Sequence, residues 1–168
     1  MNEENEIVRQ YGQSVFAIIF RMVGNQQDAE ELTQDALLQG IRQRKSHDPQ
    51  QSSLRTWFCS IAYHIALNHL RRPAIQTLSF EEEHVSTQAE AEMQALFQQP
   101  DDYRTELLER AIGLLSPEER TLIMLFYYDE LSLADIGFIT GQQPGAIATR
   151  LHRIRKRLYH LIKRMQTL

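Results

Sequence analysis

Aromatic, amide and guanidinium side chains on one helical face are the residues of this chain best suited to a binding chemistry. Thr56-Trp57-Phe58 is followed by Tyr63-His64, Asn68-His69 and Arg71-Arg72. Trp57, His64, Asn68 and Arg71 share a face at three- and four-residue steps, beside an apolar stripe of Leu54, Phe58, Ile61 and Ile65. Rings, base-edge hydrogen-bonding groups and a cation are what an unpaired nucleic-acid strand needs for stacking, readout and phosphate neutralisation. Stacking contributes about 1–3 kcal/mol per base, enough to hold a base turned out of a duplex. The same residues also fit a plainer role, with Trp57 in the core and Arg71-Arg72 closing a helix.

A second set lies toward the C-terminus. From Gly141 onward the chain carries Arg150, Arg153, Arg155, Lys156, Arg157, Lys163 and Arg164 and no acidic residue. Ser132 to Arg157 has the outline of a helix-turn-helix: a short capped helix, a glycine turn and a second helix with a basic flank. The first turns of the second helix would face bases, offering Gln143, Gly145, Ala146, Thr149 and Arg150, the glycine and alanine allowing close backbone approach. Arg153, Arg155 and Arg157 would lie along phosphates or at the groove edge. A basic amphipathic helix also suits a coiled coil or a lipid surface, and a solvated basic face is the plainest alternative.

Catalytic chemistry has no such footing. There is no Gly-rich phosphate loop, no spaced set of metal ligands and no nucleophile motif. His47, His64, His69, His84, His152 and His160 are scattered. No catalytic residue, metal or cofactor is expected.

Helices must position these groups. Ile7, Tyr11, Val15, Ile18 and Met22 repeat with a helical period, and Gly24-Asn25 ends that helix and restarts the chain. Asn25 suits the N-cap of a second helix whose inward stripe is Leu32, Ala36, Leu37 and Ile41. His47-Asp48-Pro49 breaks the pattern, and a third helix runs from about Leu54 to Arg71-Arg72, ahead of Pro73. Residues 74–103 are rich in Gln and Glu and read as an acidic linker, with a helical tendency around Glu90 to Phe97. Ser116-Pro117-Glu118-Glu119 is a capping box with proline at the first helical position, and Ser132 begins another helix. Thr140-Gly141-Gln142-Gln143 is a tight turn, and Pro144 opens a last helix with Ile147, Leu151, Ile154, Leu158, Leu161 and Met165 inward. No segment reads as a strand. The expected fold is all-α: two small helical domains, 1–73 and 104–168, joined by the linker 74–103.

Composition agrees and excludes alternatives. Apolar residues make up 42% and charged residues 24% of 168, ordinary for a globular protein, and seven Gly with five Pro leave room for long helices. No apolar stretch is long enough to span a bilayer, and Glu3, Glu4 and Glu6 are the opposite of a secretory leader, so the expected location is the cytoplasm, without membrane insertion. The single cysteine, Cys59, reads as a buried thiol. The net charge of −4 averages the basic C-terminal helix with an acidic stretch from Glu81 to Arg110.

Three ordered blocks resemble the extracytoplasmic-function (ECF) sigma factors of the sigma-70 family. They are Asp28-Ala29-Glu30-Glu31-Leu32-Thr33-Gln34-Asp35; Ser53-Leu54-Arg55-Thr56-Trp57-Phe58-Cys59-Ser60-Ile61-Ala62 with Leu70-Arg71-Arg72; and Leu114 to Arg120 with Leu131 to Ile136 and Gly145 to Arg155. The resemblance implies a non-enzymatic protein that binds core RNA polymerase and directs it to promoters. Domain 1–73 would be sigma region 2 and domain 104–168 sigma region 4. Glu31, Gln34 and Asp35 would face the polymerase clamp. Gln51, Ser52 and Ser53, with Trp57, His64, Asn68, Arg71 and Arg72, would take the melted, single-stranded −10 element. Thr149, His152 and Arg153, beside Arg150, would sit at the duplex −35 element. An anti-sigma factor is an implied further partner. The chain departs from the family at Tyr63-His64, where an Arg-Asn pair is frequent; at Ala148, where a basic residue is usual; and at Ile136-Gly137-Phe138. A stand-alone duplex-binding regulator is the main rival, but it has no use for the Trp57 and Asn68 face.

Overall fold

The computed structural model describes residues 2–71 and 102–166, and these are helices and their connections. Local chemistry fixes most of the ends. Helix α1 (Glu3–Val23) begins where the Asn2 side chain accepts from the Asn5 N–H at 2.8 Å, with Glu3, Glu4 and Glu6 on its positive end. It stops at Gly24, whose φ of 76° is the left-handed conformation that glycine adopts without strain. Asn25 then caps α2 (Gln26–Arg42) by accepting from the Asp28 N–H at 2.9 Å. After a single tight turn at Arg44–Ser46 and the polar loop at 47–53, α3 runs from Leu54 to Arg71.

These three helices pack on one another around Ile7, Val15, Ile18, Ile19, Met22, Ala29, Ala36, Leu37 and Phe58. The α3 stripe differs from the sequence expectation. Leu54, Ile61 and Ile65 are only half-buried, while Phe58, Cys59, Ala62, Tyr63, Ala66 and Leu67 are buried. The cause is a second neighbour: α3 is covered by α1 and α2 on one side and by a helix of the C-terminal unit on another, so its buried surface is wide. A single stripe cannot describe a helix packed on two sides.

The C-terminal unit comprises α4 (Asp102–Gly113), α5 (Pro117–Ile123) with a widened π turn at Met124–Tyr128, α6 (Leu133–Thr140) and α7 (Pro144–Gln166). Ser116 and Ser132 cap α5 and α6, accepting from the Glu119 and Asp135 N–H groups at 3.3 and 3.1 Å. The π turn ends through Asp129 and Glu130. Glu130 has a φ of 55°, and the Leu131 N–H reaches back to the Leu125 carbonyl at 3.1 Å. Helix α7 is the spine, packed on α4, α5 and α6 through Ile147, Leu151, Ile154, Leu158 and Ile162. Leu161 and Met165 lie half-buried beside them.

The two units touch. Helix α3 packs on α6 and α1 packs on α5. Arg21 forms a forked pair with Asp129 at 2.8 and 3.3 Å, and Arg120 donates twice to the Arg21 carbonyl, at 2.8 and 2.5 Å. The proposed linker, with its helical tendency at Glu90 to Phe97, lies outside the described residues, as does Arg72.

Candidate nucleic-acid interface

Three surfaces carry the residues singled out by sequence, each built on a different helix. On α2, Glu31, Gln34 and Asp35 are all exposed. Next to them Leu38 is 50% exposed, an unusual place for leucine on a charged helix, and it lines an open groove with Asp35, Gln39, Arg42 and Gln43. Sequence reading passed over Leu38, because one apolar residue off the inward stripe carries no periodic signal.

The second surface joins the loop at 47–53 to α3. Asp48 organises the loop: its carboxylate accepts from the Gln50 N–H at 2.9 Å and its carbonyl from the N–H groups of Gln51 and Ser52. His47 Nε2 donates to the Ser52 carbonyl at 2.8 Å. Ser53 caps α3, its Oγ accepting from the Thr56 N–H at 3.1 Å and meeting the Thr56 hydroxyl at 3.0 Å. Gln51 and Ser53 are exposed, whereas Ser52 is 7% exposed and its hydroxyl has no hydrogen-bond partner among the described residues. Trp57 is half-buried, its ring edge-on to Phe58 at 5.3 Å and tilted against His47 at 5.6 Å. Farther along α3, His64, Asn68 and Arg71 are exposed. His64 Nδ1 donates to the Ser60 carbonyl at 2.7 Å, which leaves Nε2 to face outward.

What lies outside Nε2 is the C-terminal unit. A Cβ built on Gly141, in the turn between α6 and α7, would stand 3.7 Å from that nitrogen. Tyr63, the neighbour of His64, is 1% exposed. Burial pushes its phenol up to about 12, with Glu118 adding to the rise and Arg150 and Arg71 opposing it. Arg120 is likewise partly desolvated, which lowers its pKa. Cys59 is buried, as the sequence implied, and its thiol is pushed up to about 11, chiefly by desolvation.

The third surface is the helix-turn-helix of α6 and α7. Gly141 has a φ of 76°, and the Gln142 N–H closes the turn on the Gly137 carbonyl at 2.9 Å. A Cβ on Gly137 would come within 2.6 Å of the Gln142 carbonyl oxygen, so Ile136-Gly137-Phe138 keeps its small residue where the turn approaches α6. Gln143, Gly145, Ala146, Thr149 and Arg153 are exposed on the first turns of α7, and His152 is half-buried. Arg150 donates to the Gln142 side chain at 3.0 Å and lies 3.8 Å from the Glu118 carboxylate. Arg155 donates to the Tyr127 hydroxyl at 2.8 Å, and Arg157 pairs with Glu119. The cations along α7 thus also brace this helix against α5 and the π turn.

The forked pair of Arg21 with Asp129, and the Arg120 contact beside it, were missed in the sequence. Partners 108 and 99 positions apart leave no spacing to read.

Comparison with known proteins accounts for both halves. Residues 7–74 match the family model "Sigma-70 region 2", and residues 105–158 match "Sigma-70, region 4". The chain is 33% identical over 145 residues to the ECF RNA polymerase sigma factor SigF of Caulobacter vibrioides, covering 86% of this chain and 76% of that protein. It is 28% identical over 155 residues to the ECF RNA polymerase sigma factor SigE of Mycolicibacterium smegmatis, covering 92% of this chain but 59% of that longer protein. In fold it is similar to the sigma factor RpoE of Bartonella quintana, solved in complex with the anti-sigma factor NepR, with a TM-score of 0.65 at 20% identity, covering 95% and 96% of the two chains.

Proposed function

The chain belongs to the extracytoplasmic-function sigma factors of the sigma-70 family, and we propose on that footing that it binds core RNA polymerase and directs it to specific promoters. The observation that carries the reading is the presence, in family order on one chain, of a match to sigma-70 region 2 over residues 7–74 and to region 4 over residues 105–158. Helix α3 offers a half-exposed ring and a polar edge, suited to an unpaired strand. Helix α7 offers small and polar residues on its first turns, suited to a major groove.

In this reading Glu31, Gln34 and Asp35, with Leu38 beside them, hold the polymerase clamp. The loop Gln51–Ser53 receives a flipped −10 base. Trp57 stacks, His64 and Asn68 meet the strand, and Arg71 with Arg72 neutralises phosphate. At the −35 element Gln143, Gly145, Ala146, Thr149, Arg150, His152 and Arg153 face the groove. Arg155 and Arg157 hold α7 at its angle as well as lying near phosphate, since both bond within the unit. The domains are 1–73 and 104–168, with 74–103 between them.

The chemistry of RNA synthesis belongs to polymerase, and this chain is not an enzyme. Its work is in the cytoplasm, and an anti-sigma factor is the natural negative partner. Tethered to polymerase, two weak DNA contacts act as one tight contact through effective concentration.

Run-off transcription with bacterial core polymerase, on genomic fragments including the gene's own upstream region, tests the reading. New specific starts, lost with Trp57→Ala plus Asn68→Ala or with Arg150→Ala plus Arg153→Ala, support it. Absence of starts, with duplex footprinting by the protein alone, overturns it in favour of a duplex regulator.

A further inference from the structure

The turn that leads into α7 holds one side chain to which the promoter reading gives no role. Gln142 lies two positions before Pro144, where the helix that would read the −35 element begins. Its backbone is fixed on both sides. The N–H donates to the Gly137 carbonyl at 2.9 Å, and the carbonyl oxygen lies where a Cβ on Gly137 would be 2.6 Å away. From this fixed base the side chain reaches a residue eight positions on, and Oε1 accepts from Nη1 of Arg150 at 3.0 Å. The other terminal nitrogen of Arg150, Nη2, lies 3.8 Å from the Glu118 carboxylate of α5.

The turn itself does not need this bond. It is closed by the Gln142 N–H, by the left-handed Gly141 and by the Thr140 hydroxyl, which donates to the Ile136 carbonyl at 2.8 Å. Helix α7 is anchored beside it by the buried Ile147 and Leu151. What the side-chain bond fixes is the guanidinium. An arginine head loose in water turns among many rotamers, and ordering one on binding lowers affinity by about two- to tenfold.

The chemistry of the holding group matters as much as its place. A carboxylate at hydrogen-bond distance neutralises the cation it holds, as Glu119 does for Arg157. The Gln142 amide is neutral, so it orients Arg150 and leaves the charge for DNA. Glu118 attracts from 3.8 Å, beyond the range of a hydrogen bond. The Arg150 side chain stays 29% exposed, which keeps the head within reach of a groove. A guanidinium has five N–H donors in a planar fork, and the fork matches the O6 and N7 acceptors of guanine in the major groove.

We infer that Gln142 is a positioning residue: it presets the guanidinium of Arg150 for one base pair of the −35 element, and so sets specificity without itself touching DNA. This rests on the promoter reading above.

The test uses the full chain on core polymerase and the promoter found by run-off, with each base pair of its −35 element replaced in turn. Discrimination is the ratio of run-off from the native element to run-off from each replacement. Arg150→Ala should lower it by about tenfold at one base pair. Gln142→Ala should lower it at the same base pair, by about two- to tenfold, and leave the other positions alone. In the Arg150→Ala background, Gln142→Ala should have no further effect. Gln142→Glu keeps an acceptor oxygen beside Arg150 but neutralises the cation, so it should keep discrimination there and weaken run-off from every −35 variant alike. A bond that merely braces the turn gives another pattern. Gln142→Ala then lowers the midpoint of thermal unfolding and reduces run-off equally on every template, in the Arg150→Ala background as well. That pattern overturns the inference, as does an Arg150→Ala protein that discriminates like wild type. In both cases specific wild-type starts leave the sigma reading standing. Absence of wild-type starts overturns the promoter reading itself, and the role of Gln142 with it.

Discussion

The same substitution at two glycines should have opposite effects, because one meets a ring and the other meets nothing. Gly40 faces Phe58 across the contact of α2 with α3. A Cβ there would overlap the ring, with Cδ1 at 2.6 Å and Cζ at 2.9 Å and Cε1 closer still. The ring has nowhere to go: Phe58 is fully buried, stacked on Tyr11 at 5.5 Å and edge-on to Trp57 at 5.3 Å. Gly12, in the middle of α1, has no atom within 4 Å of its would-be Cβ. Alanine is better than glycine in a helix by about 1 kcal/mol, and both sites receive that gain. At Gly40 overpacking costs about 3 kcal/mol, the upper end for a core that cannot relax, leaving a net loss of about 2 kcal/mol. At Gly12 the gain stands alone, at about 0.5–1 kcal/mol. Trp57 is the one tryptophan and lies against Phe58, so its fluorescence during urea unfolding reports on this unit. With a slope of about 1–2 kcal/mol/M, Gly40→Ala should lower the midpoint by about 1–2 M and Gly12→Ala should raise it by about 0.5 M. Native emission should also change in Gly40→Ala, since Phe58 carries its displacement to Trp57. A Gly40→Ala midpoint at or above that of wild type would refute the close packing of α2 on α3.

Glu130 holds a left-handed φ of 55° that glycine adopts freely, so Glu130→Gly should stabilise the C-terminal unit by about 0.5–1 kcal/mol, read from its thermal unfolding. Alkaline pH should weaken the fold through two buried acids. The Cys59 thiol is raised from 9.0 to about 11 and the Tyr63 phenol from 10.0 to about 12, both chiefly by burial. The unfolded chain therefore releases these protons first. Their contribution is complete below pH 9 and is lost as pH rises toward 11 for Cys59 and 12 for Tyr63. Urea midpoints measured from pH 8 to pH 11 should fall, and Cys59→Ala should flatten the part of that fall between 9 and 11.

Helix ends were the most legible part of the sequence because they depend on side chains acting over three or four positions. Asn25, Ser116 and Ser132 each accept from the N–H three residues on, and Gly24 and Gly141 each stop a helix in the left-handed conformation. The α3 stripe was less legible, since burial by a helix of another unit adds an inward face that periodicity within α3 cannot reveal. Helix α4 was not marked by sequence, its mixed charge merging with the acidic stretch before it. The π turn at Met124–Tyr128 was invisible, because MLFYY suits an ordinary helix as well. At the candidate site, which residues share a face followed from spacing. Which of them are already engaged did not, and neither did the polar contacts between units.

That distinction matters for the basic tail. Charge density alone assigns every cation of α7 to phosphate, yet Glu119 shows why the count overstates the DNA contacts. Its carboxylate accepts from the capping hydroxyl of Ser116 at 2.8 Å and pairs with Arg157 from α7, and its side chain is 16% exposed. One residue thus fixes the start of α5 and the angle of the helix that reads DNA. A phosphate that took Arg157 away would leave a poorly solvated carboxylate behind, a cost that an exposed cation does not carry. Arg155, bonded to Tyr127, braces the same helix against the π turn. On the proposed reading the sequence-specific contacts fall to the exposed first turns of α7, where Gln143, Gly145, Ala146 and Thr149 carry no charge and Arg153 stands exposed beside them. With Arg155 and Arg157 engaged inside the unit, the proposed reading has this helix gain its hold on promoters chiefly from being tethered to polymerase.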